Sequence, residues 1–310
     1  MKMKRMFVAA VLLMGLCTTG AMAHGGGTGS KGENVFENLH KGDKKAILLV
    51  HFGTTVKETR GKTIDAINKE FKSDFKGFEV REAFTSREII SKLSKKGIDK
   101  DNPMEAMDRL SAEGYTHILI QTTNVMNGIE TENLRNEVKM YEDKFEVVRM
   151  GTPLLTETED YKEVAKTIKK EIPADRDTAV VVVGHGTHHY AGAAYAKMDY
   201  VFKAEGYENY FVGTVEGYPA MSDVVKNLKA EGYKKVVLAP FMFVAGDHAM
   251  NDIAGDWKED LEGEGFDVSL AIKGLGEYTD IQHLYIHKSF DAMVHEAVDM
   301  AAKKAELAKK

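Results

Sequence analysis

Two stretches of this 310-residue chain align with one another at offsets that hold constant over long runs. His51-Phe52-Gly53-Thr54 lies over Gly184-His185-Gly186-Thr187, with Gly53 on Gly186, an offset of 133. Glu113-Gly114-Tyr115, leading into Ile118-Leu119-Ile120, lies over Glu231-Gly232-Tyr233, leading into Val236-Val237-Leu238, an offset of 118. The same 118 carries Asn127-Gly128 onto Ala245-Gly246. The difference of 15 reads as one insertion in the first half, placed in the charged stretch 95–103. Offsets that persist on both sides of an insertion mark a duplication. Runs such as Val181-Val182-Val183 read as buried parallel strands, and strands alternating with helices give parallel sheets with right-handed crossovers. The chain is therefore expected to form two similar α/β lobes with a cleft between them.

Strands are expected at 46–50, 78–84, 117–122 and 145–150, and again at 179–183, 210–215, 235–240 and 267–271. Apolar spacing places helices at 59–71, 87–93, 103–113, 130–144, 191–204, 221–231, 248–262 and from 279 onward. Residues 44–150 form the N-terminal lobe. Residues 151–310 form the C-terminal lobe and carry the last helix, with 148–165 passing between lobes.

The beginning of the chain reads as an address. Lys2, Lys4 and Arg5 precede an apolar run over 6–16, and Ala21-Met22-Ala23 offers a small-x-small cleavage site. The run is too short to span a bilayer comfortably, so residues 1–23 are expected to be a signal peptide rather than a membrane anchor. Residues 24–43 follow as a flexible leader, glycine-rich at first, and the mature chain is expected in the periplasm. Cleavage removes Cys17, the only cysteine, so any metal ligands are imidazole, carboxylate or thioether. Losing three basic residues moves the formal charge from −6 to −9. That balance, with no basic stripe, excludes a nucleic-acid binder.

Chemistry in α/β sheets gathers beyond the carboxyl ends of the strands. Three polar residues fall there in the second half: His185 between two glycines, Glu216 in Val215-Glu216-Gly217-Tyr218-Pro219, and His248 after Gly246-Asp247. Each has a plainer reading. His185 with His188 and His189 is also what a solvated turn looks like. Glu216 would serve as a helix-capping carboxylate, and His248 as an ordinary first-turn residue behind Asp247. The repeat supplies a control. His185, Glu216 and His248 project onto Phe52, Ala83 and Glu130, so the trio belongs to one lobe only. One-sided polar chemistry facing an apolar lobe suits a large, flat ligand.

At this point the chain resembles the class II tetrapyrrole chelatases, most closely the anaerobic-pathway sirohydrochlorin cobaltochelatases of cobalamin biosynthesis. The matching segments are LLVHFGTT, EAFTSREIISKL, GTPLLTETEDY, VVGHGTHH, VEGYP, MFVAGDHAMNDIAGDWK and KGLGE, in order along nearly the whole mature chain. The resemblance implies two flavodoxin-like, doubly wound lobes around a tetrapyrrole cleft. It implies that His185 and His248 bind the metal and that Glu216 assists, with Phe52, Gly53, Phe84, Gly186 and Gly246 against the substrate. Where the family pattern begins Ser-Phe-Gly-Thr, this chain has His51-Phe52-Gly53-Thr54, which would add a third imidazole.

The implied reaction inserts a divalent metal, Co²⁺ or alternatively Fe²⁺, into sirohydrochlorin, with loss of two pyrrole N–H protons. Imidazole suits several such ions, so ligand type does not choose among them. Glu216 or a histidine would take the protons. Arg81, Arg87 and Lys92 are candidates for the substrate's carboxylates, or plain solvated charges. Corrinoid and sirohaem synthesis are cytoplasmic, so export favours an alternative: a periplasmic protein that binds or carries metal, haem or another tetrapyrrole. Bound haem and a homo-oligomer both stay open. His283 and His287 are spaced for a metal but read as an exposed helix face, and Met242 and Met250 flank the His248 segment.

Overall fold

The computed structural model describes residues 33–246 and 249–295. The expected signal peptide at 1–23, the glycine-rich part of the leader, and His248 all lie outside the described residues.

Among the described residues, eight strands form two parallel four-stranded sheets. The first contains β1 (Lys45–His51), β2 (Glu79–Phe84), β3 (His117–Thr122) and β4 (Val147–Gly151), in the order β2-β1-β3-β4. The second contains β5 (Thr178–Gly186), β6 (Tyr210–Glu216), β7 (Lys235–Pro240) and β8 (Asp267–Leu270), in the order β6-β5-β7-β8. Both are the doubly wound pattern expected for the two lobes. Side chains alternate across each sheet, and helices cover both faces, so successive residues enter different cores. In β1, Ile47 and Leu49 face the core shared by the lobes, while Ala46, Leu48 and Val50 face an outer core of the first lobe. In β5, Val180 and Val182 face the shared core, and Ala179, Val181 and Val183 face the outer one.

Strand register carries the duplication into three dimensions. Lys45 pairs with His117 and Thr178 with Lys235, so β1 maps onto β5 at 133 and β3 onto β7 at 118. The insertion is not one block. Ile47 pairs with Val80 and Val180 with Tyr210, which lowers the offset to 130 at β2 and β6. Three extra residues therefore precede β2. The other twelve precede α4 (Pro103–Ala112), which maps at 118 onto α8 (Met221–Ala230). They make room for a helix that has no counterpart between β6 and α8 among the described residues.

That helix is α3 (Arg87–Ser94), capped by Ser86, whose side chain accepts from the Ile89 N–H at 3.3 Å. Ahead of it, α1 (Lys57–Lys62) and α2 (Ile64–Asp74) replace the single helix expected at 59–71. α5 (Ile129–Lys139) and α7 (Ala193–Ala204) fall where spacing put them. α6 (Thr158–Glu171), read as mere connection, is a helix burying Tyr161, Val164, Ala165 and Ile168 on one face. The helix expected at 248–262 is a π-helical segment, Ala249–Trp257, running into α9 (Lys258–Gly263).

Two domain expectations need correction. The last helix, α10 (Thr279–Val294), packs on β3 and β4 of the first lobe rather than on the second. The Tyr285 hydroxyl donates to the Thr123 carbonyl at 2.9 Å, and the Ser289 hydroxyl donates to Gln121 Oε1 at 2.9 Å. Lys288 also closes a largely buried ion pair of 2.7 Å with Asp160 on α6. The chain thus completes its first lobe with its last described element. Residues 33–43 are likewise not a free leader, because Phe36 is fully buried against Phe78 and His117. One large aromatic side chain is enough to seat a short segment. Among the described residues no helix is long and apolar enough to cross a membrane.

Candidate functional site

The second lobe's strand ends are shaped by glycines. His185 is the penultimate residue of β5 and half-buried; Glu216 is the last residue of β6 and exposed. The two strands meet at Gly186, which pairs with Glu216. Gly186 has φ +87°, and an ideal Cβ there would fall 1.6 Å from the Glu216 carbonyl oxygen. Only glycine lets the two backbones close up; His185 and Glu216 stand one residue apart in register at the ends of adjacent strands. Gly184 has a different reason: its missing side chain is replaced by the ring of Tyr195, whose hydroxyl oxygen accepts from the Gly186 N–H at 3.1 Å. The glycines flanking His185 are therefore occupied by protein rather than left open for a ligand. Beyond β6, Thr214 receives the loop back: its N–H and hydroxyl donate to the Pro219 carbonyl at 2.8 and 2.9 Å. That closure fixes the turn carrying Glu216.

His185 Nδ1 lies 3.3 Å from the Gly186 carbonyl oxygen, an acceptor for Nδ1–H. His248 falls between described residues Gly246 and Ala249. The segment after it is anchored by Trp257, whose ring occupies the space a side chain on Gly213 of β6 would need. Gly246 itself approaches Thr54 of the first lobe, and Thr59 donates to the Ala245 carbonyl at 3.2 Å. On the other side, Glu132 of α5 meets His189 Nε2 at 3.3 Å and the Tyr190 hydroxyl. His189 is thus held by a carboxylate and by the Ala191 N–H on Nδ1, while His188 is exposed. The loops of the two lobes meet around the strand ends.

The first lobe presents a different surface. Phe52, the counterpart of His185, is half-exposed, at 49%. Tyr190 and Tyr218, in loops after β5 and β6, are more exposed, at 78% and 64%. Phe84 does not join them. It is fully buried, and an ideal Cβ on Gly53 would strike its ring at 2.5 Å, so Gly53 (φ +102°) and Phe84 are packing partners beneath the rim.

His51 does not enter the cleft either. It is completely buried, between Phe84 and Phe243, and both ring nitrogens are engaged. Asn68 donates to Glu82 at 2.7 Å, so its Oδ1 accepts from His51 Nε2–H at 3.0 Å, and Nδ1 faces the Thr123 hydroxyl at 3.0 Å. Burial drives the His51 pKa down to about 4 and keeps it neutral. The expected third imidazole is a core residue. Register also corrects the internal projection: Glu216 lies over Ser86, not Ala83, since His51 pairs with Phe84 where Gly184 pairs with Thr214. Ser86 is a helix cap, so the carboxylate is still confined to the second lobe.

Of the basic candidates, Arg81 is committed elsewhere. It sits mid-strand and forks onto both oxygens of Glu113, at 2.8 and 2.5 Å, which raises its pKa further. Lys92 pairs with Glu88 at 2.6 Å, and Arg87 is exposed at the start of α3. His283 and His287 are exposed on α10, and Met242 is half-buried against the second lobe's outer core. Sequence reasoning passed over two groups. Among the described residues, Arg60 Nη1 on α1 and Thr85 Oγ1 just past β2 are buried polar atoms without a hydrogen-bond partner. Buried polar groups are nearly always satisfied, so such atoms mark places where water or a ligand completes the structure. No pattern in the sequence distinguishes Arg60 from its neighbours.

Paired parallel sheets, with imidazole and carboxylate on one lobe's strand ends and an exposed aromatic ring on the other's, define a two-lobed α/β protein. The comparisons give that class a family. Residues 45–294 match the family described as cobalt chelatase (CbiK), and the chain belongs to it. A sirohydrochlorin cobaltochelatase of Salmonella typhimurium is 37% identical over 268 residues, covering 84% of this chain and 99% of the relative. Sirohydrochlorin cobaltochelatase CbiKC of Nitratidesulfovibrio vulgaris is 30% identical over 251 residues, covering 78% and 88%. In fold the chain is similar to SirB from Bacillus subtilis, solved with Fe³⁺, at a TM-score of 0.59 and 15% identity over 81% of this chain and 96% of that one. CbiX, described as the terminal enzyme of sirohaem biosynthesis in denitrifying bacteria, gives 0.52 at 15% identity over 80% and 99%.

Proposed function

We propose that this protein inserts a divalent metal, cobalt with iron as the alternative, into sirohydrochlorin held in the cleft between its lobes. The observation that carries the reading is the position of His185 and Glu216 at the carboxyl ends of adjacent strands, where the loops of the first lobe meet the second. Membership of the cobalt chelatase family supports it. The ion is a substrate. His185 and His248 hold it through imidazole nitrogens, ligands that suit several first-row divalent ions. Two pyrrole N–H protons must leave as four ring nitrogens take the ion. Glu216, exposed at the rim, accepts one and passes it to water, returning ready for the second. Phe52 faces the macrocycle from the first lobe and Tyr190 and Tyr218 from the second, presenting ring faces to a flat conjugated ligand. Arg60, Arg87 and Thr85 are the groups available to its carboxylates.

The amino-terminal pattern supports export and a periplasmic site of action, which cell fractionation with an antibody tests directly. For the reaction, the purified mature protein is given sirohydrochlorin with Co²⁺ or Fe²⁺, and the absorption change of insertion is followed. Many turnovers per protein, faster than the uncatalysed control, are expected. One tightly retained equivalent of tetrapyrrole or haem with no turnover would replace the enzyme with a carrier. Size measurement of the same preparation gives the oligomeric state.

A further inference from the structure

At the opposite end of the first lobe lies a cluster with no part in the cleft. Asp43 precedes β1, His117 opens β3 and Glu146 precedes β4, and β1, β3 and β4 are neighbours in the sheet. Their register brings the three to one level, because Lys45 pairs with His117 and His117 with Val147. One imidazole nitrogen and one oxygen from each carboxylate lie within 4.8 Å of one another. We infer that the amino edge of the first sheet is a second binding site, for a divalent first-row cation such as Zn²⁺ or Co²⁺, held by Asp43, His117 and Glu146.

His117 is the telling residue. It is 96% buried, in a chain where a buried histidine at a strand start needs a reason. Its Nδ1 lies 2.8 Å from Thr116 Oγ1, and that hydroxyl in turn reaches the Lys44 carbonyl at 3.3 Å. Read in that direction, Nδ1–H donates to Thr116, Thr116 donates to the Lys44 carbonyl, and the Nε2 lone pair is left for an ion. Metal-binding histidines are oriented in this way by a partner on their other nitrogen. Among the described residues Nε2 makes no hydrogen bond, and neither Asp43 nor Glu146 forms an ion pair. Asp43 is positioned by the His40 N–H, 2.7 Å from its Oδ2. One nitrogen and two carboxylate oxygens suit a borderline divalent ion with water completing its coordination.

The duplication again provides a control. Offsets of 133, 118 and 120 carry Asp43, His117 and Glu146 onto Arg176, Lys235 and Phe266. A set that merely closed the amino edge of such a sheet would have some polar counterpart of like sign there. Two cations and a phenyl ring stand in its place. An ion here would tie three strands together at their starts, well away from the insertion chemistry.

The test is Zn²⁺ titration of purified protein by calorimetry, comparing parent, Asp43→Asn/Glu146→Gln and His185→Ala/His248→Ala. The edge variant should bind one ion fewer than the parent, or bind it about tenfold more weakly or worse, while inserting cobalt at the parent rate. The cleft variant should keep the edge ion. Zinc should raise the melting temperature of the cleft variant but not of a protein combining both sets. Glu146→Gln alone, a surface change, should weaken the same ion without altering the fold. Identical stoichiometry and affinity in parent and edge variants would overturn the site.

Discussion

The two lobes share strand order, register and a positive-φ glycine at or just past the end of the first strand, yet their side chains differ at both ends of their sheets. At the carboxyl edge, Gly53 and Gly186 both adopt positive φ, but the residue before each differs: Phe52 in one lobe, His185 in the other. Past the neighbouring strand, Ser86 caps a helix where Glu216 offers an exposed carboxylate. At the amino edge the side chains differ again, with Asp43, His117 and Glu146 standing where the other lobe has Arg176, Lys235 and Phe266. Duplication supplies a rigid frame twice. Single side chains at strand ends, which bear little of the packing, decide what each copy does.

The largest effect should separate the matched residues Phe52 and His185. His185→Ala is expected to lower insertion by about a thousandfold, some 4 kcal/mol, while melting stays near that of the parent. Phe52→Ala should act on substrate affinity and leave the ion in place. Glu216→Gln retains shape and loses the base, so metal binding should persist as insertion slows. Equal losses at Phe52 and His185 would mean that the lobes share the chemistry.

The matched glycines come next. Gly186→Ala puts a Cβ into a backbone carbonyl that cannot move without parting β5 from β6, whereas Gly53→Ala meets the Phe84 ring. We expect about 3 kcal/mol of destabilisation at Gly186 and less at Gly53, read by denaturant unfolding. The reverse order would show that the second lobe's strand ends are looser than their packing implies.

Acid should then strike the first lobe. His51 is neutral and buried with a pKa of about 4, against 6.5 when unfolded, so between those values the unfolded chain binds more protons. Stability contributed by neutral His51 is complete above 6.5 and falls with pH, by about 2 kcal/mol at pH 5. His51→Gln should flatten that part of the stability curve. A slope unchanged in the variant would assign the acid loss to other groups.

How legible this was depended on range. Parallel strands were plain because β-branched runs such as 179–183 are local, and the duplication followed from counting. α6 was missed although Tyr161, Val164, Ala165 and Ile168 have helical spacing, because the segment was read as a connector. The return of α10 to the first lobe was not legible: its partners, Thr123 and Gln121, lie more than 160 residues away. His185 and Glu216 were read as site residues from position and family pattern, and both do stand at strand ends. His51 was misplaced for the converse reason, since a strand-end histidine looks the same in sequence whether its ring turns to the cleft or to Asn68.

The smallest effect tests whether the first lobe is only an apolar wall. Arg60 lies on α1, the helix that reaches across to the Ala245 carbonyl through Thr59, and between β5 and β6 the second lobe carries no arginine at all. One guanidinium nitrogen is buried with no partner among the described residues. Leaving it so costs free energy unless something arrives to meet it, and a carboxylate of the substrate is the group with the right charge and lone pairs. Arg60→Gln removes that charge. The expected result is a KM for sirohydrochlorin raised about tenfold, roughly 1.4 kcal/mol, with kcat unchanged, because the contact lies away from the reacting nitrogens. Arg60→Lys should recover part of the loss through charge but not through the planar fork. A KM that stays at the parent value would assign the buried nitrogen to water and return the first lobe's contribution to its exposed aromatic ring.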